Sequence, residues 1–408
     1  MKVLFFCLSM IFSVAAFAQD GDGDFKVKVK GFADTYHAVR CDKPNDWMSS
    51  RTRLRGELSL EKNHTELFFS ANAVYNSLIS DYSGFKIREL FVSQTFGGFE
   101  LRAGRQIITW GVADALRLTD LVSPMDYSEF LAQDYDDIRI PENALRLKYS
   151  KNSFAVEALA VPVIEVFDLP TDRKNPWSIS ITGNDSILSD VKPDFKIENM
   201  EFGGRLSWFL SGVDFSVSAL RTYNKMPVYS LIYRSQNEKL IAIPHHERIT
   251  MTGFDFSVPL GKFVFRGEFA EYFNEAQQPP VNAEIVSKNT SNALLGVDIY
   301  PGGDWNLSFQ YAHKYIASYD AAAINAYRNS GTATVRVSKD LFRNTLNINT
   351  FAYIDVTNGG VYDRTTFDYA VNDMMHISIG FDYFNADKGT FKMYDRNSEI
   401  WAKVKVSF

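Results

Sequence analysis

The chain has 408 residues, 46% hydrophobic, 23% charged and 14% aromatic, with a formal net charge of −6 and two cysteines. A mean hydropathy of −0.17 is too low for a bundle of spanning helices. Beyond the extreme N-terminus no stretch reaches the roughly 18 apolar residues that such a helix needs, and the acidic total argues against a general nucleic-acid binder. A soluble multidomain protein or a β-barrel remains, the latter with its apolar residues diluted by alternation.

Residues 1–18 read as a signal peptide: one lysine (Lys2), an apolar core, then Ala16-Phe17-Ala18 ahead of Gln19. Cys7 lies within that core and not at a lipobox, so a lipoprotein is not expected. After cleavage a single thiol, Cys41, remains, which cannot form an internal disulfide. Residues 19–408 then form one domain.

From Phe25 onward the pattern is alternation at period two. Val27 and Val29 interleave with Lys26, Lys28 and Lys30. Trp305, Leu307, Phe309 and Tyr311 interleave with Asn306, Ser308 and Gln310, and Ile377, Ile379 and Phe381 with Ser378 and Gly380. Ile400, Ala402, Val404, Val406 and Phe408 interleave with Lys403, Lys405 and Ser407. Successive side chains on a strand face opposite ways, so each segment has one apolar and one polar face. In a sandwich the apolar face meets a second sheet; in a membrane barrel it meets lipid.

Three features favour the barrel. The polar face carries full charges, as in Arg51, Arg53, Arg55, Glu57 and Glu61; aromatic residues gather near segment ends; and connections alternate short and long. Short turns fall at 63–64, 97–98, 151–152, 211–212, 260–262, 301–303, 340–344 and 372–373. The longer connections are 42–48, 76–84, 110–142, 167–199, 226–246, 275–289, 317–330, 356–364 and 385–398. The fold class expected is all-β: a transmembrane antiparallel barrel of about 18 strands of roughly ten residues, with long external loops and periplasmic termini. The terminal Phe408 resembles the insertion signal that barrel-assembly machinery reads in bacterial outer-membrane proteins. The first strand begins near Phe25, which leaves no room ahead of it for the plug domain of an energised transporter.

No motif of catalysis or metal binding stands out. Elbow, P-loop, paired-cysteine and dinucleotide signatures are absent. His246-Glu247 comes closest to a zinc helix, but Thr250 stands where the second histidine is needed, so a solvated loop cluster is the simpler reading. Asp134-Tyr135-Asp136-Asp137 does not have EF-hand spacing. The chain is therefore read as a non-enzyme with no cofactor and no metal. A triad hidden in the barrel wall stays as a minor alternative, because triads are defined by geometry.

A barrel of 16–18 strands leaves an aqueous channel, whose selectivity rests on lumen charges and inward-folded loops. Closure makes neighbours of Lys26, Lys28, Lys30, Arg51, Arg53, Arg55, Lys403 and Lys405, a basic pore-lining sector that would attract anions. The alternative is that these cations pair with lumen carboxylates such as Glu57 and Glu61. The 110–142 loop is the expected constriction, with Asp114, Asp120 and Asp126 among its carboxylates. Ser123 as N-cap and Pro124 after it predict a short helix there, and apolar Leu118, Leu121, Val122, Phe130 and Leu131 would need cover. Folding back into the barrel mouth would supply it and would set Asp120, Asp126, Asp134, Asp136 and Asp137 against the basic wall.

Gly104-Arg105-Gln106, Trp110-Gly111 and Asp114, followed by Asp120, Pro124 and Asp126, resemble the signature of a porin-like Gram-negative outer-membrane barrel family. That family has a GRQ-x-x-x-WG-x-x-D strand end and a D-x-x-x-P-x-D loop, and the GRQ strand is more distantly similar to alginate-export and Wzi-like barrels. The resemblance implies a large single-domain barrel that passes or exports a solute, with some relatives linked to lipid or sterol traffic. It carries Arg105, Gln106, Trp110 and Asp120 over as loop-anchoring or constriction positions. The combined expectation is an outer-membrane channel for small, preferentially anionic solutes. The alternative is an export or assembly component for a surface polysaccharide or lipid. Partners would be outer-membrane lipid and a small solute, not nucleic acid, with homo-oligomerisation or a periplasmic partner left open.

Overall fold

The computed structural model describes residues 25–134, 137–180, 185–233 and 239–408. The signal-peptide reading of residues 1–18 and the Asp136 carboxylate lie outside them. Eighteen strands form one closed antiparallel sheet. Phe25–Arg40 pairs on one side with Trp47–Lys62 and on the other with the final strand, Glu399–Ser407, which closes the barrel. At the seam Gly31 and Phe408 exchange main-chain hydrogen bonds of 3.0 and 2.9 Å. A Cβ on Gly31 would stand 2.6 Å from the Phe408 ring, so the seam needs glycine there.

The two faces follow from register. Lys28 meets Glu61 across the first strand pair, and Asp34 faces Arg53, which fixes the even-numbered residues of Phe25–Arg40 inward. The opposite face is apolar and uncovered: Leu295 is 68% exposed, Ile400 61% and Ile379 55%. Such a band around the whole sheet far exceeds the apolar patches that soluble monomers tolerate, and acyl chains are the medium that suits it. Near the short turns the outer face becomes aromatic. Phe96, Phe99 and Tyr149 stack around the Gly97-Gly98 turn, and Phe154, Trp208 and Phe215 line up across three strands at 5.2 and 5.0 Å. This is the interfacial girdle of a membrane barrel.

Short turns and both described termini share one end; longer connections share the other. Three small strands (Asp185–Ile187, Val228–Ile232, Leu240–His245) form a separate sheet in the long connections. The expected long connection at 356–364 is shorter than its polarity suggested, because Gly360–Ala370 is already strand and pairs with Leu346–Asp355.

The chain leaves the wall at the end of Phe99–Gln106 and rejoins it at Glu142–Lys151. Between them residues 107–134 and 137–141 cross the lumen. One side packs Ile108, Trp110, Leu118 and Val122 on Leu220, Met251, Ala270 and Leu294 of one wall. The other packs Phe130 and Ala132 on Tyr36, Tyr362, Phe384 and Trp401 of the opposite wall, under Trp177 and Tyr394 from other loops. Apolar residues that solvent would penalise in an external loop are thus buried between barrel walls.

The predicted helix after Ser123 does not form. The Ser123 hydroxyl accepts the Ile108 N–H at 2.9 Å instead of capping. Met125 bridges Arg139 and Asp126 bridges Asp168, with main-chain bonds of 2.7 Å (Asp126 to Ile138) and 2.8 Å (Tyr127 to Asp168). Cross-chain pairing has taken the backbone groups that a helix would use, so tertiary context overrides the capping signal.

Candidate pore and its constriction

The eight cations of the basic sector lie on the inner face of three adjacent strands. Tyr36 is opposite both Arg51 and Lys403, and Asp34 is opposite both Arg53 and Lys405. The Phe32 ring lies beneath Arg53, Arg55 and Lys405 at 4.9, 5.0 and 4.4 Å, a cation–π floor that holds the three side chains together.

At constriction height this wall is paired. Arg51 donates to Glu129 of the loop at 2.7 Å. Arg53 meets both Asp34 and Asp137, the latter at 3.0 Å, and Arg55 donates to Asp137 at 2.7 Å. Lys403 pairs with Asp134. Arg88 donates to the Asp137 main-chain carbonyl at 2.9 Å. Burial opposes the Asp137 charge, but Arg53 and Arg55 overcome it and hold its carboxyl well below the usual carboxylate range. Toward the short-turn end Lys28 meets Glu61 at 2.6 Å. Among the described residues Lys26, Lys30 and Lys405 make no ion pair. Of the wall carboxylates expected as partners, Glu61 meets Lys28, while at constriction height the partners are Asp34 and the loop carboxylates Glu129, Asp134 and Asp137.

The far wall holds the same loop by its backbone. Glu268, inward on Phe263–Gln277, accepts the N–H groups of Val112, Ala113 and Thr119 at 2.6, 2.8 and 3.1 Å, and the Thr119 hydroxyl at 3.1 Å. Gly111 makes this possible: its φ is +85°, and a Cβ there would stand 2.5 Å from a Glu268 oxygen. Arg266 donates to the Val112 carbonyl at 2.9 Å and to Asp114 at 3.0 Å. The Trp110 indole N–H donates to Glu157 at 2.9 Å, and the Tyr272 hydroxyl to the Leu118 carbonyl at 2.6 Å. Lys225, buried between Glu142 and Glu201, also reaches the Val122 carbonyl.

The remaining sequence-selected positions divide. Gln106 is fully buried where the chain leaves the wall and donates to the Ala144 carbonyl at 3.0 Å. Asp120 is an internal brace of the loop, accepting from Arg139 at 2.6 Å and from the Trp110 N–H at 3.1 Å. The Asp126 side chain accepts the Ser128 N–H at 2.9 Å. Arg105 stands apart from the constriction, at the top of its strand, paired with Glu165 at 3.1 Å. His246 is not solvated: its side chain is 1% exposed and lies between Asp190 and the Asn224 carbonyl. Glu268, Arg266, Arg88, Glu129 and Lys225 were not selected from sequence. Their charge at inward positions was readable; which of many inward charges meets the loop was not.

Two chambers flank the loop. One, of about 840 Å³, lies toward the long connections and is lined by Lys86, Arg88, Arg105, Asp126 and Asp168 among others. The second, of about 800 Å³, lies toward the short turns and is lined by Arg336, Asn349, Arg364, Thr366 and Lys405. Asp137 and Arg139 line both, so these two side chains form the partition between them. In the first chamber burial, reinforced by Asp126, pushes the Asp168 carboxyl up to about 6, against the pull of Lys86 and Lys192.

The architecture is similar to that of solved porins. OccAB1 of Acinetobacter baumannii aligns with a TM-score of 0.57 at 13% identity, over 96% of this chain and 99% of that one. OccAB3 of the same organism aligns at 0.54 and 12% identity, over 94% and 99%. A BenF-like porin from Pseudomonas fluorescens Pf-5 aligns at 0.54 and 8% identity, over 94% and 98%. Identities this low speak for the fold alone. No curated protein matches the sequence. A family model described as "Protein of unknown function (DUF1302)" matches residues 38–399, most of the chain, and the chain belongs to that family.

Proposed function

We propose that this protein is an outer-membrane channel, exported by way of residues 1–18, that passes small anionic solutes through a barrel constricted by residues 107–141. The observation that carries the reading is the distribution of charge along one wall. Lys26, Lys30 and Lys405 are unpaired on the inner face among the described residues, and they lead toward the partition that Asp137 and Arg139 form between the two chambers. Paired cations at the constriction hold the loop. The unpaired lysines supply the field that an entering ion meets, and charged rings of this kind set selectivity in aqueous pores.

Planar-bilayer recordings under a salt gradient test this. The native protein should give stable conductance with an anion-favouring reversal potential. The double variant Lys26→Glu, Lys30→Glu should reverse its sign while the constriction pairs stay intact. Unchanged selectivity would sink the basic-sector reading. A folded barrel with no conductance would instead support the export or assembly component.

A further inference from the structure

The wall of this barrel has a low section. Gly84–Phe96 pairs along its length with Thr65–Asn76, from Thr65 opposite Gln94 to Val74 opposite Gly84. On its other side the ladder to Phe99–Gln106 stops at Leu90 opposite Arg105. Residues 84–89 therefore present a strand edge with no neighbouring strand among the described residues, in a fold whose closure normally removes edges. The cause is length. Phe99–Gln106 has 8 residues, and the next three wall strands have 10 each, against 13 to 17 in Arg248–Leu260, Phe263–Gln277 and Val286–Gly302. At about 3.3 Å per residue and a tilt near 40°, an eight-residue strand rises about 20 Å, short of an apolar band about 25 Å tall. The notch above Gln106 opens at the level of the outer acyl chains.

The larger chamber runs into this notch. Register puts Leu90, Arg105 and Asn143 on the outward face, and Ile87, paired with outward Ala71, beside them; Lys86, Gly104 and Asn72 are inward. All seven line the same 840 Å³ cavity. A cavity bounded by both faces of one strand exists only where the wall is interrupted. Its outer lip is apolar, with Ile87 and Leu90 each 42% exposed, and its inner side carries both signs of charge, Asp126 and Asp168 as well as Lys86, which makes no ion pair among the described residues.

We infer that this cavity is a side portal, through which an anionic amphiphile passes between the outer chamber and the lipid, its charged head against Lys86 and its tail across Ile87 and Leu90. The inference goes beyond the proposed conductance and is tested without it. Single cysteines are placed in a Cys41→Ser background, folding is checked by heat-modifiable gel migration, and each variant is reconstituted in phosphatidylcholine vesicles. A charged, membrane-impermeant maleimide should label Ile87→Cys and Leu90→Cys within about threefold of the rate at Lys86→Cys, and at least about tenfold faster than Leu145→Cys and Leu295→Cys, which face outward on a complete wall. Laurate should slow labelling at Lys86→Cys and Leu90→Cys together, whereas acetate should not. If Leu90→Cys is as protected as Leu145→Cys, the notch is sealed and the portal is refuted. If acetate protects as well as laurate, or laurate protects neither site or slows the Leu145→Cys control equally, the amphiphile is refuted.

Discussion

Glu268 offers the most direct test of how the constriction is held. It is buried, and one carboxylate accepts three loop N–H groups and one hydroxyl, from Val112, Ala113 and Thr119. In Glu268→Ala those donors lose their acceptor on the wall. A buried donor left unsatisfied costs about 1–3 kcal/mol, and water admitted from the lumen would satisfy part of it. Taking about 1–2 kcal/mol for each of the three N–H groups, the loop loses roughly 3–6 kcal/mol of its attachment to Phe263–Gln277. That is comparable to the whole cost of ordering a few residues, so the 111–119 segment should detach while the eighteen-stranded wall stays intact. Single-channel recording should show a larger, noisier conductance, and limited proteolysis should cut the loop in Glu268→Ala but not in the native protein. Glu268→Gln, which keeps one acceptor oxygen, should lie between. Native conductance together with native protease resistance in Glu268→Ala would refute the idea that this carboxylate positions the constriction.

Three further outcomes follow from other groups. Asp168 has its carboxyl raised to about 6, so acidification from pH 7.5 to 5.5 removes a negative charge from the outer chamber and should shift the reversal potential toward anions; Asp168→Asn should lose that shift. Lys225→Met leaves Glu142 and Glu201 buried without their cation, and breaking such a cluster costs about 3–5 kcal/mol, visible as a lowered melting temperature in detergent. Asp137→Asn removes the carboxylate shared by Arg53 and Arg55 and should raise anion selectivity in bilayers. Because Asp137 has a depressed folded-state pKa, the stability it contributes is present above the unfolded carboxylate value near 4. It is lost only as pH falls toward the depressed value, so native and variant melting temperatures should differ at pH 7 and converge in strong acid.

Alternation made the wall legible because its cause is local: a residue's face depends only on strand parity. The eight basic residues could be assigned to one wall from sequence because closure adds a single topological step to that parity. The partners of those cations were not legible, since Asp137 reaches Arg53 and Arg55 from a loop about eighty positions away. The helix expected after Ser123 failed for a related reason. Its capping residues were present, but Arg139 and Asp168 pair with the same backbone. Strand ends were also hidden. Nothing in the polarity of 99–110 marks Gln106 as the last wall residue, and that early exit creates both the constriction and the notch beside Leu90.

The loop is held in two ways that divide its work. Apolar burial at Trp110, Leu118, Val122 and Phe130 supplies attachment without direction, since hydrophobic contacts are tolerant of sliding. The carboxylate and guanidinium contacts are directional, and each fails if the loop moves by about one residue spacing, roughly 3.3 Å. A loop crossing the lumen of a barrel needs both, because any water there competes with every polar contact. It follows that charges already paired at the constriction are poor candidates for handling a solute. Recruiting Arg53 or Arg55 to an anion would free Asp137 and loosen the partition, whereas Lys26 and Lys30 can bind and release one with no structural penalty. Selectivity should therefore change most with those lysines, and pore size with Glu268.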